Sequence, residues 1–341
     1  MANKMRMIFS SSRILTVFTA CFLLFAPLAM AQQESCQTQQ EMDPATRSAI
    51  ERTAAQFYSS AAAGDAESLR RNSIPAIAGN FQGITATVEA NKDKIAGGQA
   101  TLRTSFLLSA PGTTAYDRAE FFCGLFNSPQ RTSFVIPGLP PGTYAVAIQD
   151  VKGSKLPYTI TYVLQQNNGT WQLAGYYARP HQLGPHDGLW YWVQARDMKK
   201  EGQQHNSYFY YTTAADLLAP VPFMSTLQLD KLYEEEQAAA PKDVPTNPQQ
   251  PVPVTLNGKT YQVQQIFATP DDKQGLDLVV KYQAISDISN TGQAFQDNMN
   301  FLKSLAAQYP EYKSAFTALV ARAVAPSGQD YGSVLPTKDI K

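Results

Sequence analysis

The first apolar stretch of the chain has no period. Residues 14–28 are apolar except for two threonines and Pro27, with Lys4, Arg6 and Arg13 before them and Ala29-Met30-Ala31 after. A basic start, a short apolar run and small closing residues are the plan of a cleavable secretory signal peptide, here residues 1–31. An apolar run of about 15 residues also falls short of the roughly 20 that cross hydrocarbon as a helix. A retained anchor fits less well, given Pro27 and the small-residue ending. So does a lipoprotein acylated on Cys21, because Phe18-Thr19-Ala20-Cys21 lacks the usual leucine three residues before the cysteine. No later segment is apolar for long enough to span a bilayer.

Beyond residue 31 the pattern becomes periodic. Residues 32–43 are polar and read as a flexible leader. Asp43-Pro44 then starts a helix on which Ile50, Ala54, Phe57, Tyr58 and Ala61 recur at helical spacing until Gly64-Asp65. A second helical piece covers 66–72 and Pro75 interrupts it; Phe81, Ile84, Val88 and Ile95 suggest a third. From about residue 100 the period shortens towards two. Residues 102–108, 119–126, 132–136, 143–151, 158–165 and 170–177 have strand length, the last two flanking the hairpin turn Asn167-Asn168-Gly169. Helices followed by an antiparallel meander predict an α+β domain over 44–180, with the N-terminal helices packed on a curved antiparallel sheet.

Residues 181–237 return to helix. Leu189, Trp190, Val193 and Met198 lie along one helix, Gly202 breaks it, and Tyr208, Tyr211, Ala215 and Leu218 ride a second until Pro220 and Pro222. Residues 225–237 predict a third helix capped by Ser225, with Glu234-Glu235-Glu236 as its solvated end. Five prolines in 238–253 mark a linker. The last unit, 254–341, opens on a hairpin around Asn257-Gly258, then a strand at 276–282, an amphipathic helix at 294–309 and a strand at 316–324, again α+β.

Three local patterns resemble known families. The helix ending Ala61-Ala62-Ala63-Gly64-Asp65, followed by Leu69, and the closing hairpin from Gly169 through Trp171, Gly175 and Tyr177 resemble the nuclear-transport-factor-2-like and cystatin-like superfamily. That resemblance implies a helix clasped by a curved sheet and, in the enzymes among its members, an acidic residue or His-Asp pair lining the cone between them. Phe134 to Tyr144, with Pro137-Gly138 and Pro141-Gly142, instead looks like the strands of prealbumin-like β-sandwiches, though the leading helices count against a pure sandwich. Gly202, Ser207, Tyr211, Ala214 and Pro220 are similar to one tetratricopeptide unit, and a single copy must pack on its neighbours. Along nearly its whole length the chain also resembles a family of uncharacterised exported bacterial proteins sharing the ending from Asp330-Tyr331-Gly332 to Asp339-Ile340-Lys341. That last resemblance implies no activity.

Charge changes the picture by exclusion. The chain has 28 basic and 28 acidic side chains, a balance without the cationic footprint of a nucleic-acid binder. Signal cleavage leaves Cys36 and Cys123; in an oxidising compartment they invite one disulfide, and otherwise Cys123 is a free buried thiol among phenylalanines with Cys36 on a mobile tail.

Candidate chemistry is sparse. His181, His186 and His205, with Asp187 nearby, could hold zinc, but none has the spacing that sets two ligands on one helical face, and turn histidines are the simpler reading. Asp117, Glu120 and Asp150 could stand in the cone as acids or bases, or be exposed strand-edge charges. Nucleophile elbow, phosphate loop, Cys-x-x-Cys and His-Glu-x-x-His motifs are missing from the sequence. Trp190, Trp192, Tyr208 and Tyr210 place rings on more than one face of the hairpin, as an interaction surface would, unless the flanking domains cover them. These observations lead to an exported, non-catalytic binding protein of the bacterial envelope, taking an envelope protein or a small apolar ligand and needing no cofactor or metal. The alternative is a cyclase- or isomerase-type enzyme with its site in the cone.

Overall fold

The computed structural model describes residues 33–340 except 126, 127, 129, 246, 272 and 274; the expected signal peptide lies outside them. In chain order the first part comprises β1 (Ser35–Thr38), α1 (Pro44–Ala62), α2 (Ala66–Arg71), α3 (Pro75–Ala78), α4 (Gln82–Ile95), β2 (Gln99–Ala110), β3 (Tyr116–Cys123), β4 (Thr132–Leu139), β5 (Gly142–Lys152), β6 (Tyr158–Asn167) and β7 (Thr170–Pro180). Then come β8 (Gln182–Leu183), β9 (His186–Asp187), α5 (Gly188–Lys200), α6 (Gln204–Leu218), β10 (Met224–Thr226) and α7 (Leu227–Ala239). The last part holds β11 (Val252–Leu256), β12 (Lys259–Pro270), β13 (Leu276–Gln283), α8 (Thr291–Gln308), α9 (Tyr312–Ala315), β14 (Ala318–Val324) and β15 (Asp330–Pro336). The fold is α+β.

The main sheet is antiparallel in the order β1-β2-β5-β6-β7. Local chemistry explains its neighbours. Asp43 caps α1 by accepting from the Thr46 amide at 2.9 Å with Pro44 in the first turn, and Ile50, Ala54, Phe57 and Ala61 make its buried stripe. Asn168 and Gly169 both have positive φ, the geometry of a two-residue hairpin turn between β6 and β7. Alternation then decides the layers: Ala145, Ala147 and Val151 of β5 face the helices, while Tyr144, Val146 and Ile148 face the other way.

On that second face lies a small sheet, β10-β4-β3. Phe106, Leu108, Phe121 and Phe134 fill the space between the two sheets. This part of the chain therefore has three layers, helices, main sheet and small sheet, the last completed by β10 from beyond residue 180, rather than the helix-on-sheet pair expected over 44–180. The polar leader contributes β1, an edge strand paired with β2, so it is not loose throughout. Its own composition carries little strand signal; the pairing comes from β2.

In the C-terminal sheet, β11-β12-β13-β14-β15, the β13–β14 pair is parallel, with α8 and α9 in the crossover between them. This sheet and the helical hairpin share one core, in which Tyr211 and Phe209 meet Phe301 and Leu319 as buried members of one cluster. The Tyr210 hydroxyl donates to the Ala315 carbonyl at 2.9 Å, and Asn206 Nδ2 to the Glu311 carbonyl at 3.0 Å. Residues from Gln33 onward form one compact unit. The proline-rich stretch 238–253 is held down rather than free: Val244 is buried, and the Asp243 carboxylate meets His205 Nε2 at 2.8 Å and accepts from the Tyr309 hydroxyl at 2.9 Å. Hydrogen bonding to His205 holds the Asp243 carboxyl below its ordinary value, with Tyr309 adding to the effect.

Candidate functional groove

A groove runs where the end of β7, α6, α7 and the small sheet meet. Its widest part, about 740 Å³, is walled by Val135, Ile136, Tyr177, Phe223 and Met224. It continues into about 290 Å³ around Pro222, Tyr233, Glu236 and Asp216, and then into about 260 Å³ beside Pro180, Leu217 and Leu276. Adjoining parts share wall residues, Pro222 and Tyr233 at one junction, Arg179 and Asp216 at the other. Each volume is comparable to, or just under, those of small-molecule sites.

The middle of the groove is charged. Arg179 Nη1 donates to Asp216 Oδ1 at 3.2 Å and to the Asp216 carbonyl at 3.3 Å, tying β7 to the last turn of α6. Glu236, half-buried on α7, has its carboxyl pushed up to about 7, first by burial and then by the Asp216 charge. Burial, then Glu236, also raises the Tyr233 and Tyr208 hydroxyls. At neutral pH the Glu236 carboxyl is thus able either to donate or to accept a hydrogen bond beside an apolar trough.

No family model, curated protein or solved structure matches this chain. The groove must be read from its own chemistry.

The acidic run that looked solvated divides among three environments, because successive helical residues point about 100° apart. Glu234 is exposed. Glu235 accepts two bonds from Arg196, at 2.7 and 2.8 Å, and one from Trp192 Nε1 at 2.9 Å; the Arg196 pairing pulls its carboxyl down to about 2. Glu236 faces the groove. Ser225 is not the cap of α7: the Thr226 side chain accepts from the Leu229 amide.

Of the two readings of the hairpin's rings, an interaction surface or cover by the flanking parts, the packing favours cover. Trp192 and Tyr210 are buried, Trp192 beneath the Arg196 guanidinium at 4.6 Å and Tyr210 against Phe316. Trp190 is half-buried, stacked on His186 at 3.6 Å, and Tyr208 is half-buried beside Phe209. The exposed apolar side chains of α5 are instead Leu189 and Val193. α5 has turned its larger rings inward, where they bury more area.

Cys36 and Cys123 are joined, with Cα atoms 5.1 Å apart, linking β1 of the main sheet to β3 of the small one. Asp117 and Glu120 stand on β3, outside the helix-facing interior; Asp117 is exposed and Glu120 pairs with Arg118. Asp150 shares the parity of Tyr144, Val146 and Ile148, so it faces away from the helices, paired with Arg103. The helix-facing interior holds other polar groups that sequence reading missed: Ser105, Tyr162 and Tyr176 lie in one cross-strand row with Ala147 between Ser105 and Tyr162. Their hydroxyls are buried without a hydrogen-bond partner among the described residues. His181 is exposed, His186 is under Trp190 and His205 is on Asp243. Among the described residues no group of three or more His, Cys, Asp or Glu side chains is arranged to hold a metal, and no helix is long and apolar enough to cross a membrane.

The raised Glu236 carboxyl makes a pH prediction. Above its unfolded value of 4.5 the unfolded carboxyl has lost a proton that the folded one keeps until about pH 7. Stability therefore falls as pH rises through that window. Glu236→Gln removes this slope. Urea unfolding should find the variant more stable than wild type by about 1–2 kcal/mol near pH 8, after allowance for solvent screening, and nearly equal near pH 4. A difference that does not change with pH would refute the assignment.

Proposed function

We propose that the protein is exported and serves as a non-catalytic binding protein of the bacterial envelope, holding an elongated, mainly apolar ligand in the groove beside Glu236. The observation that carries this reading is the row of three adjoining hollows, apolar at both ends, with a half-buried carboxyl in the middle one. Export is supported by the basic, apolar and small-residue order of residues 1–31. It is also supported by the Cys36–Cys123 bridge, which persists in oxidising compartments.

The test uses the neutral apolar probe N-phenyl-1-naphthylamine with the mature protein. Saturable fluorescence enhancement is expected, weakened about tenfold or more by Phe223→Asp; because Phe223 packs on Phe134 and Tyr177 the melting temperature falls somewhat, and circular dichroism checks that the variant is folded at the temperature of the titration. Equal binding by the variant would place the ligand elsewhere, and no binding would remove the reading altogether.

A second reading is favoured by one observation, the Glu236 carboxyl at about 7, which suits a general acid or base. On that reading Glu236→Gln abolishes turnover of a ligand recovered from the native protein while leaving its binding intact. On the first, no turnover occurs with either form.

A further inference from the structure

The C-terminal unit carries a separate cleft of about 590 Å³ between α8, α9 and the chain following β15. Its floor is apolar. Ala306 and Leu335 are buried, and Ile340 and Pro310 close the sides. Its rim is charged: Lys303 from α8, Lys313 from α9 and Asp339. None of these three belongs to an ion pair among the described residues. Among the described residues, two ammonium groups thus stand over an apolar floor against one carboxylate. A second hollow, about 440 Å³, adjoins along α8 and shares Lys303 and Ala307, so Lys303 borders both.

We propose that this cleft binds a single-chain fatty acid from solution, its carboxylate accepting from Lys303 and Lys313 and its acyl chain lying on Ala306, Leu335 and Ile340. The charge pattern selects an anion, and the floor selects an apolar tail. The concavity selects a free molecule over a bilayer. A membrane-docking face projects large apolar side chains, and those the chain exposes, such as Phe122, Leu189 and Val334, do not line this cleft.

Dodecanoate, kept below its micellar concentration, is the probe, with calorimetry and amide chemical shifts of the full chain as readouts. Saturable one-to-one binding is expected, with shifts clustered at residues 303–313 and 335–340. The double variant Lys303→Gln/Lys313→Gln should bind about tenfold more weakly or worse, as the loss of charge-assisted hydrogen bonds implies. Asp339→Asn should bind about twofold or more tightly, since it removes a repelling charge. Ala307→Phe, at an exposed helical position, should obstruct the cleft without moving the melting temperature. Phe223→Asp should leave dodecanoate binding unchanged, which separates this site from the groove.

Surface lysines also act on the stability of their own helices, Lys313 by lying in the last turn of α9 where a cation complements the dipole. A double variant that lost stability but bound dodecanoate as before would assign them that role and overturn the proposal. So would the absence of saturable binding up to about 1 mM, or equal binding of dodecyltrimethylammonium. Lysine-dependent binding to phosphatidylglycerol vesicles without binding of free dodecanoate would overturn it as well, in favour of a membrane surface.

Discussion

Replacing Cys36 and Cys123 together by serine should lower the stability of the oxidised protein by about 4.6 kcal/mol, the loop-entropy value for cysteines 87 residues apart. The bridge is the covalent link between the two sheets: Cys36 sits on the short edge strand β1 and Cys123 at the end of β3. Without it β1 keeps its pairing with β2 and its packing beside β3 but loses the covalent tie, and a four-residue strand on one edge frays readily. Urea unfolding with and without reductant checks this. Wild type under reductant should fall towards the midpoint of the double serine variant and stay somewhat above it, since that variant, which itself ignores reductant, buries a hydroxyl at the fully buried position 123. Equal midpoints for oxidised wild type and variant would show that the bridge contributes no stability.

The second large effect is expected at Asn298, which is fully buried on α8. Its Oδ1 accepts from the Tyr282 hydroxyl at 2.7 Å, and its Nδ2 donates to the Tyr331 carbonyl at 3.0 Å and to Ser333 Oγ at 3.1 Å. One amide therefore joins β13, α8 and β15. Asn298→Ala strands these buried groups, each worth about 1–3 kcal/mol when unsatisfied, so a loss of about 3 kcal/mol or more is expected. Because the hairpin shares this core, the hairpin and the C-terminal sheet should unfold together, followed equally by hydrogen exchange in α5, α6 and α8. A loss below about 1 kcal/mol would show that these bonds add little beyond their exchange with water.

Where a local rule sufficed, reading the sequence located the element. Asp43-Pro44 and the Ile50, Ala54, Phe57, Ala61 stripe define α1, and Asn168-Gly169 and Asn257-Gly258 are both hairpin turns with positive φ. The strands around β5 were legible because both faces of that strand are covered, leaving a nearly continuous apolar run. The candidate site was less legible. Arg179, Asp216, Tyr233 and Glu236 come from β7, α6 and α7, and nothing in their spacing announces the meeting. Glu236 differs from Glu234 only in the direction its helix turns it, and from Glu235 in lacking an Arg196 opposite.

The sequence by itself determined the start of α1, the two Asn-Gly hairpin turns, the balance of charge and the α+β class, since capping, turn geometry and periodicity act over a few residues. Tertiary structure alone decided that polar Ser35–Thr38 joins a sheet, that β10 extends β4, that β14 lies parallel to β13, and that Trp192 and Tyr210 turn inward. Each of these outcomes depends on a partner distant along the chain, whose edge, face or charge is set only once the layers have packed.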